Sequence, residues 1–559
     1  ANGWYDVTKA GNGSEPAHSA DAVLTINGGN ISGGKITVKN DDGGKLTIND
    51  GTFTQSESNL FCIYNANVAK ITGGTINGCV GSIESNPSSE YNKGEFTISG
   101  GTFNTDVSEF VADGYILNNG TVEELGETNA VAKVGDTYYK TLAEAVAAAK
   151  NGGTIDLLSN VSERLWIRNN EDVTINLNGH TISSEKQTAN VRHGKLTVNG
   201  PGTIKEDTPY FGALLIKGST NQSDTDYAVA TINKDVTLEG WAPVFIDQFD
   251  DQKNAGKAYG ITVNLNGAVL NGKKDSTGDL GSGIYVNGNI KDATNAPVIN
   301  LDSTTVTSEG QGMYLAGYAT TTVNGGSVSG SETGIEIRAG KLTVNGATVN
   351  GNGIPTSVIP NGNGSTSVGA GIAVAQHTTK LPIDVTISGG TISGYTAFYE
   401  SNPQNNAAED LAKINIAVKG GEFKAINGGT NAVYSENKTG FITGGTFTGV
   451  TAENYLDEGC KLENGKVVPA DNSVAKIGNK GYKTLAEALN AVKDGETITL
   501  LKDTNLPDAE YYINKSVTIN GSGKISCKVK TGKTTRAFVV EENGSLTLDG
   551  VELDIQGTK

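Results

Sequence analysis

The chain has 559 residues, a formal net charge of −18, and 75 glycines against 12 prolines. The acidic balance argues against a nucleic-acid or anionic-membrane partner, because both need clustered basic residues. No apolar run approaches the roughly 20 residues that span a bilayer. Glycine without a Gly-X-Y period excludes collagen, and the regular Ile, Val and Leu content argues against disorder.

Short strands separated by glycine pairs dominate the first part of the chain. Each repeat begins with a short strand in which apolar and polar residues alternate, such as Leu24–Ile26. Two glycines, a polar residue and an apolar residue then follow, as at Gly28–Ile31, Gly73–Ile76 and Gly100–Phe103. The repeat is about 20 to 30 residues long, which is typical of solenoids. One such coil cannot bury its apolar row alone, but stacked coils share a continuous core. The pattern predicts an all-β, three-faced parallel β-helix.

Four cysteines, Cys62, Cys79, Cys460 and Cys527, lack the spacing of a metal site. Cys62 and Cys79 fall on neighbouring predicted coils, so a disulfide between them is one alternative. Buried free thiols are the favoured interpretation.

A seven-residue cassette, Tyr-Lys-Thr-Leu-Ala-Glu-Ala, occurs at 139–145 and again at 482–488. In each copy a Thr stands three residues before a Glu, which is the spacing of a helix capping box. Good helix formers follow, so we expect short helices near 141–150 and 484–493. An amphipathic helix placed over the first coil would cover exposed core and unpaired strand edges. Each cassette is therefore predicted to be the lid that opens a β-helix module.

The two lids divide the chain into tandem modules. Residues 1–128 are predicted to be the C-terminal part of one module, 129–471 a complete module, and 472–559 the N-terminal part of a third. Residues 472–559 followed by 1–127 would complete one module, so we expect copies to stack end to end, covalently or as a filament. The residues assigned to this assembly are Ala1, Trp4, Tyr5, Leu548, Val551, Leu553 and Lys559.

The cassette, the segment Thr174–Ile182 and the Gly-Gly-Thr-Ile phrases together resemble a known group. They are similar to the pectate-lyase-like right-handed β-helix modules of large surface proteins from Gram-positive, gut-type anaerobic bacteria. The resemblance implies the fold and an extracellular or cell-surface location. It leaves activity open, because the superfamily contains polysaccharide lyases, hydrolases, phage tailspikes and non-enzymatic adhesins.

Catalytic signatures of that superfamily are not found. Asp250 and Asp251 form the nearest Asp-Asp pair, but the other hydrolase motifs do not accompany it, and no aspartate ladder flanks Arg338. Four isolated histidines, which we interpret as surface or turn residues, are His18, His180, His193 and His377. The sequence therefore predicts no catalytic residue, no metal ligand and no cofactor.

One polar stretch is the best candidate for chemistry. Trp241 and Tyr259 are the candidate sugar-stacking residues, and Asp247, Asp250 and Asp251 are the candidate calcium ligands or acid–base carboxylates. A solvated loop beside one buried tryptophan is the favoured alternative.

These observations favour a non-enzymatic, extracellular structural or adhesive protein, a stalk or filament subunit whose partners are copies of itself and glycans. A polysaccharide-active lyase or glycoside hydrolase is the first alternative. A glycan-binding module without catalysis is the second.

Overall fold

A computed structural model describes residues 22–41, 44–82, 94–248, 252–355, 367–506, 510–529 and 536–557. The chain divides into two compact units. The first comprises Ala1–Ala148 with Ile155–Asn160, and the second comprises Ala149–Thr154 with Val161–Lys559. The module boundaries near 128 and 471 that the repeats indicate stay predictions.

The first unit is built from parallel strands. Its strands are β1 (Ala22–Ser32), β2 (Val38–Asn40), β3 (Gly44–Thr54), β4 (Phe61–Asn65), β5 (Val68–Asn77), β6 (Cys79–Ser82), β7 (Glu95–Phe103), β8 (Tyr115–Asn118), β9 (Thr121–Glu124), β10 (Ala132–Val134) and β11 (Thr137–Tyr139). One sheet has the order β1-β3-β5-β7-β9-β8 and another β2-β4-β6. Strands β1 to β7 pair in parallel, and the hairpin β8–β9 closes the larger sheet.

The four cysteines are free thiols.

The chain then forms α1 (Leu142–Ala149) and β12 (Asn151–Leu157). The capping box predicted here is present in part, because the backbone N–H of Glu144 donates to Thr141 Oγ1 at 3.2 Å. Leu142 and Val146 lie on the buried face of α1, as the apolar spacing predicts.

The second unit repeats a three-strand coil. Its strands up to the next lid are β13 (Leu165–Ile167), β14 (Glu171–Asn176), β15 (Thr181–Ser184), β16 (Ala189–Val191), β17 (Gly194–Asn199), β18 (Gly202–Glu206), β19 (Gly212–Lys217), β20 (Ala228–Ile232), β21 (Val236–Gly240), β22 (Ala242–Asp247), β23 (Ile261–Asn266), β24 (Val269–Gly272), β25 (Ser282–Val286), β26 (Val298–Asp302), β27 (Thr305–Ser308), β28 (Gln311–Leu315), β29 (Thr320–Asn324), β30 (Ser327–Gly330), β31 (Ile335–Ile337), β32 (Gly340–Asn345), β33 (Thr348–Gly351), β34 (Ala370–Ala375), β35 (Ile383–Ile387), β36 (Thr391–Gly394), β37 (Thr396–Ser401), β38 (Ile414–Val418), β39 (Glu422–Ala425), β40 (Val433–Ser435), β41 (Thr446–Thr448), β42 (Cys460–Glu463) and β43 (Lys466–Pro469). A short helix, α2 (Ala408–Leu411), precedes β38.

These strands form three faces. Face A runs from β14 through β17, β20 and every third strand to β38, face B runs from β13 through β16 and β19 to β40, and face C runs from β15 through β18 and β21 to β41. Each strand pairs in parallel with its equivalent one coil later, for example β17 with β20 and β19 with β22. The predicted parallel β-helix is confirmed.

Alternation within each strand builds the core. In β19, Leu214 and Ile216 are fully buried, and their register partners Val244 and Ile246 in β22 are buried as well. Each coil thus adds one layer of apolar side chains, which is why isolated coils would not fold.

The glycine pairs set the corners between faces. Gly390, the second glycine of its pair, has a φ of +101°, and a Cβ there would lie 2.1 Å from the carbonyl oxygen of Ala347. Both the left-handed backbone and the close approach of the neighbouring coil exclude a larger residue.

The second unit ends with another lid and further coils. These elements are β44 (Ala475–Ile477), β45 (Lys480–Tyr482), α3 (Leu485–Ala491), β46 (Thr497–Leu500), β47 (Thr504–Leu506), β48 (Tyr511–Ile513), β49 (Ser516–Gly521), β50 (Lys524–Val529), β51 (Phe538–Val540), β52 (Ser545–Asp549) and β53 (Glu552–Gly557). Thr484 and Glu487 form the complete capping box, with donor–acceptor distances of 3.1 and 3.2 Å. Leu485 and Leu489 of α3 pack into the core of the following coils. The predicted helix and its role as a lid are confirmed here.

Candidate functional site

The central residues of the face B strands form one continuous row. Their side chains point away from the centre of the coils, because they lie between two inward-pointing residues of each strand, although Leu215, Tyr314 and Ala373 are still buried. In strand order the row, called the B ladder, is Trp166, Asn190, Leu215, Phe245, Tyr285, Tyr314, Glu336, Ala373, Tyr399 and Tyr434. Six of these ten positions are aromatic, so the sequence concentrates ring surface on one face of the helix.

Aromatic rings contact one another along the middle of the B ladder. The ring centroids of Phe245 and Tyr285 are 5.0 Å apart, and those of Tyr285 and Tyr314 are 5.4 Å apart. Trp241, which directly precedes β22, lies 5.4 Å from Tyr285 and 5.7 Å from Tyr210. These separations are those of favourable aromatic pairs, so the rings hold one another in fixed orientations.

A groove of about 470 Å³ opens over these rings. Its aromatic wall consists of Tyr210, Trp241, Tyr285 and Tyr314; its polar groups are Asp279, Ser282, Gln311 and Glu332. Tyr210 is 54% exposed, whereas Tyr314 is almost completely buried. The aromatic wall therefore includes both an exposed ring and a buried one. Apolar walls with a few convergent polar groups are typical of ligand sites.

A buried cation contacts Tyr314, one of the residues that line the groove. Arg338 is fully buried, and its Nη1 donates to the hydroxyl of Tyr314 at 3.0 Å while its Nε donates to the carbonyl oxygen of Ala375 at 3.3 Å. Glu336 Oε1 lies 4.0 Å from Arg338 Nε, and the Ser367 hydroxyl donates to Glu336 Oε2 at 3.2 Å. These contacts satisfy charges that burial would otherwise make costly.

Burial also raises the pKa of several side chains that line the groove. It raises the pKa of the Glu332 carboxyl, and the nearby Glu336 carboxylate raises that pKa further. Burial likewise raises the pKa values of the Tyr285 and Tyr314 phenols. Gln311 Nε2 donates to Glu332 Oε2 at 2.7 Å. The groove thus contains a carboxyl that binds its proton more tightly than an exposed glutamate does.

The structure separates the residues that the sequence groups around Trp241. Trp241 lines the groove, and it also lines a second cavity of about 250 Å³. Asp247 instead accepts from Lys217 Nζ at 3.0 Å and from Asn287 Nδ2 at 2.6 Å, as a structural ion pair. Tyr259 is buried and donates to Asp292 Oδ2 at 2.7 Å, and burial raises its pKa to about 12. Neither lines the groove.

Asp250 and Asp251 lie outside the described residues. Across the part of the chain that the structure describes, no group of three or more His, Cys, Asp or Glu side chains could hold a metal ion.

The residues assigned to end-to-end assembly are only partly described. Leu548 and Leu553 are each 38% exposed, on β52 and β53, and Val551 is half-buried between these strands. Ala1, Trp4, Tyr5 and Lys559 lie outside the described residues. End-to-end assembly stays a prediction.

His377 begins a turn, because the backbone N–H of Lys380 donates to its carbonyl oxygen at 3.0 Å. It is buried, at 4% exposed, and its Nδ1 accepts from the backbone N–H of Thr379 at 3.2 Å. Arg338 does not line the groove, but it contacts Tyr314, which does. The ring of His193 stacks on that of Tyr227, with the ring centroids 4.5 Å apart.

The B ladder was not apparent from the sequence alone. Its signal is an aromatic residue between two buried aliphatic ones, as in Val244–Ile246, Ile284–Val286 and Met313–Leu315. The loops between these triplets differ in length, so no fixed period aligns them.

Comparisons with known proteins give two distant structural likenesses. No family model matches the chain, and no curated protein matches it. Two solved structures of the PL6 family alginate lyase AlyGC are similar. An arginine-to-alanine mutant aligns at 14% identity over 74% of this chain and 72% of the lyase chain, with a TM-score of 0.24. The other AlyGC structure aligns at 13% identity over 96% and 71%, with a TM-score of 0.17. Scores this low carry no argument about activity. No helix among the described residues is long and apolar enough to cross a membrane.

Proposed function

We propose that the protein is an extracellular β-helix that binds a polysaccharide in the groove over the B ladder. The row of aromatic rings from Tyr210 through Trp241 and Tyr285 to Tyr314 carries this proposal. A pyranose ring has an apolar C–H face and a rim of hydroxyl groups. Aromatic rings match the apolar face, and the amide and carboxyl groups of Gln311 and Glu332 match the hydroxyl rim.

The architecture also suits a long ligand. Neighbouring parallel strands are about 4.8 Å apart, so each coil of face B advances the ladder by a distance comparable to one sugar residue. The accessible part of the ladder includes Phe245 and Tyr285, which lie on successive coils, so a polysaccharide lying there would meet one ring per coil. This arrangement supports the adhesive form of the function expected from the sequence.

Binding to a panel of purified polysaccharides, measured by calorimetry, tests the proposal. Tyr210→Ala removes an exposed ring with little effect on the core, and we expect it to weaken binding about tenfold, or about 1.4 kcal/mol. Tyr512 is similarly exposed, at 56%, and lies outside the groove, so Tyr512→Ala is the matched control. A panel without any ligand, or equal affinities for Tyr210→Ala and the unmodified protein, would overturn the proposal.

Cleavage of the bound polysaccharide is the second candidate function. It is favoured by the raised pKa of Glu332, which lines the same groove as Asp279. A carboxyl whose pKa is raised is better suited to act as a general acid, and a second carboxylate can act as base or nucleophile. Release of new reducing ends that Glu332→Gln abolishes would support this candidate. A polysaccharide that binds without being shortened would reject it.

A further inference from the structure

Three arginines surround one tryptophan at the first coils of the second unit. The guanidinium carbons of Arg164, Arg168 and Arg192 lie 5.5, 5.6 and 5.8 Å from the ring of Trp166. We call these four residues the arginine platform. The chain has only five arginines and a net charge of −18, so most of its guanidinium groups are gathered at one place on an acidic protein.

The fold forces two of these cations together. Ile167 of β13 pairs with Val191 of β16, so Arg168 and Arg192, which follow them, occupy equivalent positions on adjacent coils. Like charges placed opposite each other on neighbouring strands are destabilising. Contacts with the indole ring offset part of that repulsion, because cations are attracted to the face of tryptophan.

The platform is open to an external partner. Arg164 and Arg168 are exposed, and no carboxylate among the described residues lies within ion-pair distance of either. Structural arginines on an acidic protein usually pair with its abundant carboxylates, as Arg536 does with Glu510 at 3.3 Å. Two exposed guanidinium groups, 5.5 and 5.6 Å from one indole ring, suit the recognition of an oxyanion.

Trp166 also belongs to the B ladder. It lies three strand pairings before Phe245, which places the platform about 14 Å along face B from the start of the aromatic row. Asn190 and Leu215, the ladder residues between them, are buried, so a ligand would cross these two coils without contacting their side chains. A chain bound in the groove and extended along the ladder would reach the guanidinium groups.

We infer that the arginine platform binds the acidic groups of a polysaccharide, a carboxylate or a sulfate ester. This inference rests on the proposed function for the identity of the chain that carries the acid. It adds a class of ligand, because the residues lining the groove include no cation that would attract an acidic chain. Contacts between guanidinium groups and a polyanion are screened by salt, so this part of the binding should weaken as ionic strength rises.

Three polymers separate the outcomes: polygalacturonate as the carboxylate, dextran sulfate as the sulfate ester and unmodified dextran as the neutral chain. The double variant Arg164→Gln/Arg168→Gln should weaken binding of the preferred acidic polymer at least tenfold and flatten its salt dependence. Its matched control is Lys195→Gln/Lys341→Gln, which removes the same charge from exposed positions on face A. The control variant should bind as the unmodified protein does.

The possible results distinguish the arginine platform from the groove as the binding site. Equal losses for the arginine and lysine variants would overturn the platform, because net charge alone would then explain the effect. Binding of dextran but of neither acidic polymer would overturn the platform and leave the groove standing. Loss of acidic binding in the arginine variant, with Tyr210→Ala unchanged, would support the platform and reject the groove. If no polymer binds, both proposals fail.

Discussion

The guanidinium group of Arg338 donates a 3.0 Å hydrogen bond to the hydroxyl of Tyr314, and both side chains are buried. Tyr314 occupies the B ladder directly beside Glu336, so the contact joins two successive coils. The buried Arg338 is thereby joined to the aromatic wall of the groove. A buried charge is tolerated only while its partners remain in place.

Replacement of Arg338 is therefore expected to destabilise the second unit strongly. Arg338→Met keeps most of the volume but leaves the Glu336 carboxylate buried beside an apolar side chain. We expect a loss of about 3–5 kcal/mol in the free energy of unfolding, measured by urea denaturation. Arg536→Met is the control, because Arg536 is exposed and its removal should not change the unfolding midpoint. A midpoint for Arg338→Met equal to that of the control would contradict the structural role.

Asparagine side chains link successive coils at the edge of face A. Asn199 Nδ2 donates to Asn176 Oδ1 at 2.9 Å, and Asn199 Oδ1 accepts from Asn233 Nδ2 at 2.8 Å. Asn199→Ala removes both half-buried bonds, so we expect a cost of about 1–2 kcal/mol in urea denaturation.

Asn345→Ala provides the comparison, since Asn345 makes one exposed bond of this kind, to Asn324 at 3.0 Å. It should cost clearly less than Asn199→Ala. Equal effects would mean that burial does not control the strength of these contacts.

The fold could be predicted from sequence because its signals are local. Alternation in segments such as Val385–Ile387, glycine pairs at corners and a capping box at Thr484 each act within a few residues. The groove depends on alignment between coils. Phe245, Tyr285 and Tyr314 come together only because unequal loops return each strand to the same register. Loop lengths are not fixed by the apolar pattern, so the B ladder and the approach of Arg192 to Trp166 could not be derived from the sequence.

The Glu332 carboxyl should make stability depend on pH. Its pKa in the folded protein is raised by burial and by Glu336, so the folded state holds the proton more tightly than the unfolded chain does. The carboxyl therefore lowers the free energy of unfolding least below its pKa in the unfolded chain, about 4.3. The loss of stability grows as the pH rises through its pKa in the folded protein.

Glu332→Gln should therefore raise the melting temperature at neutral pH, and the gain should disappear in acid. Its amide oxygen can still accept the hydrogen bond from Gln311. Thermal unfolding of both proteins across this pH range gives the measurement. A stability difference that does not vary with pH would show that the carboxyl does not titrate abnormally.

The lid α3 offers a test of capping. Thr484→Ala removes the side-chain acceptor for the N–H of Glu487 and should destabilise the helix by about 1 kcal/mol. Hydrogen exchange of the amides in Ala488–Ala491 should become faster. Thr484→Ser keeps the hydroxyl and should restore the slower exchange. Fast exchange in both variants would indicate that packing of the apolar face, and not the cap, controls the lid.

The stacking of copies predicted from the sequence can be tested at β53. This strand pairs with β50, and no other described strand pairs with it. Its residues Leu553 and Ile555 are 38% and 51% exposed, so a stacked copy would bury them and satisfy the free strand edge. We expect the unmodified protein to form larger species with rising concentration in analytical ultracentrifugation, and Leu553→Lys/Ile555→Lys to remain monomeric.

Val450→Lys places the same charge at an apolar residue that is 59% exposed elsewhere on the second unit. It should assemble as the unmodified protein does, because Val450 lies in a loop away from β53. Assembly that the β53 variant does not reduce would exclude this edge as the contact. Assembly lost equally in both variants would instead indicate general association of exposed apolar surface, which any added charge suppresses.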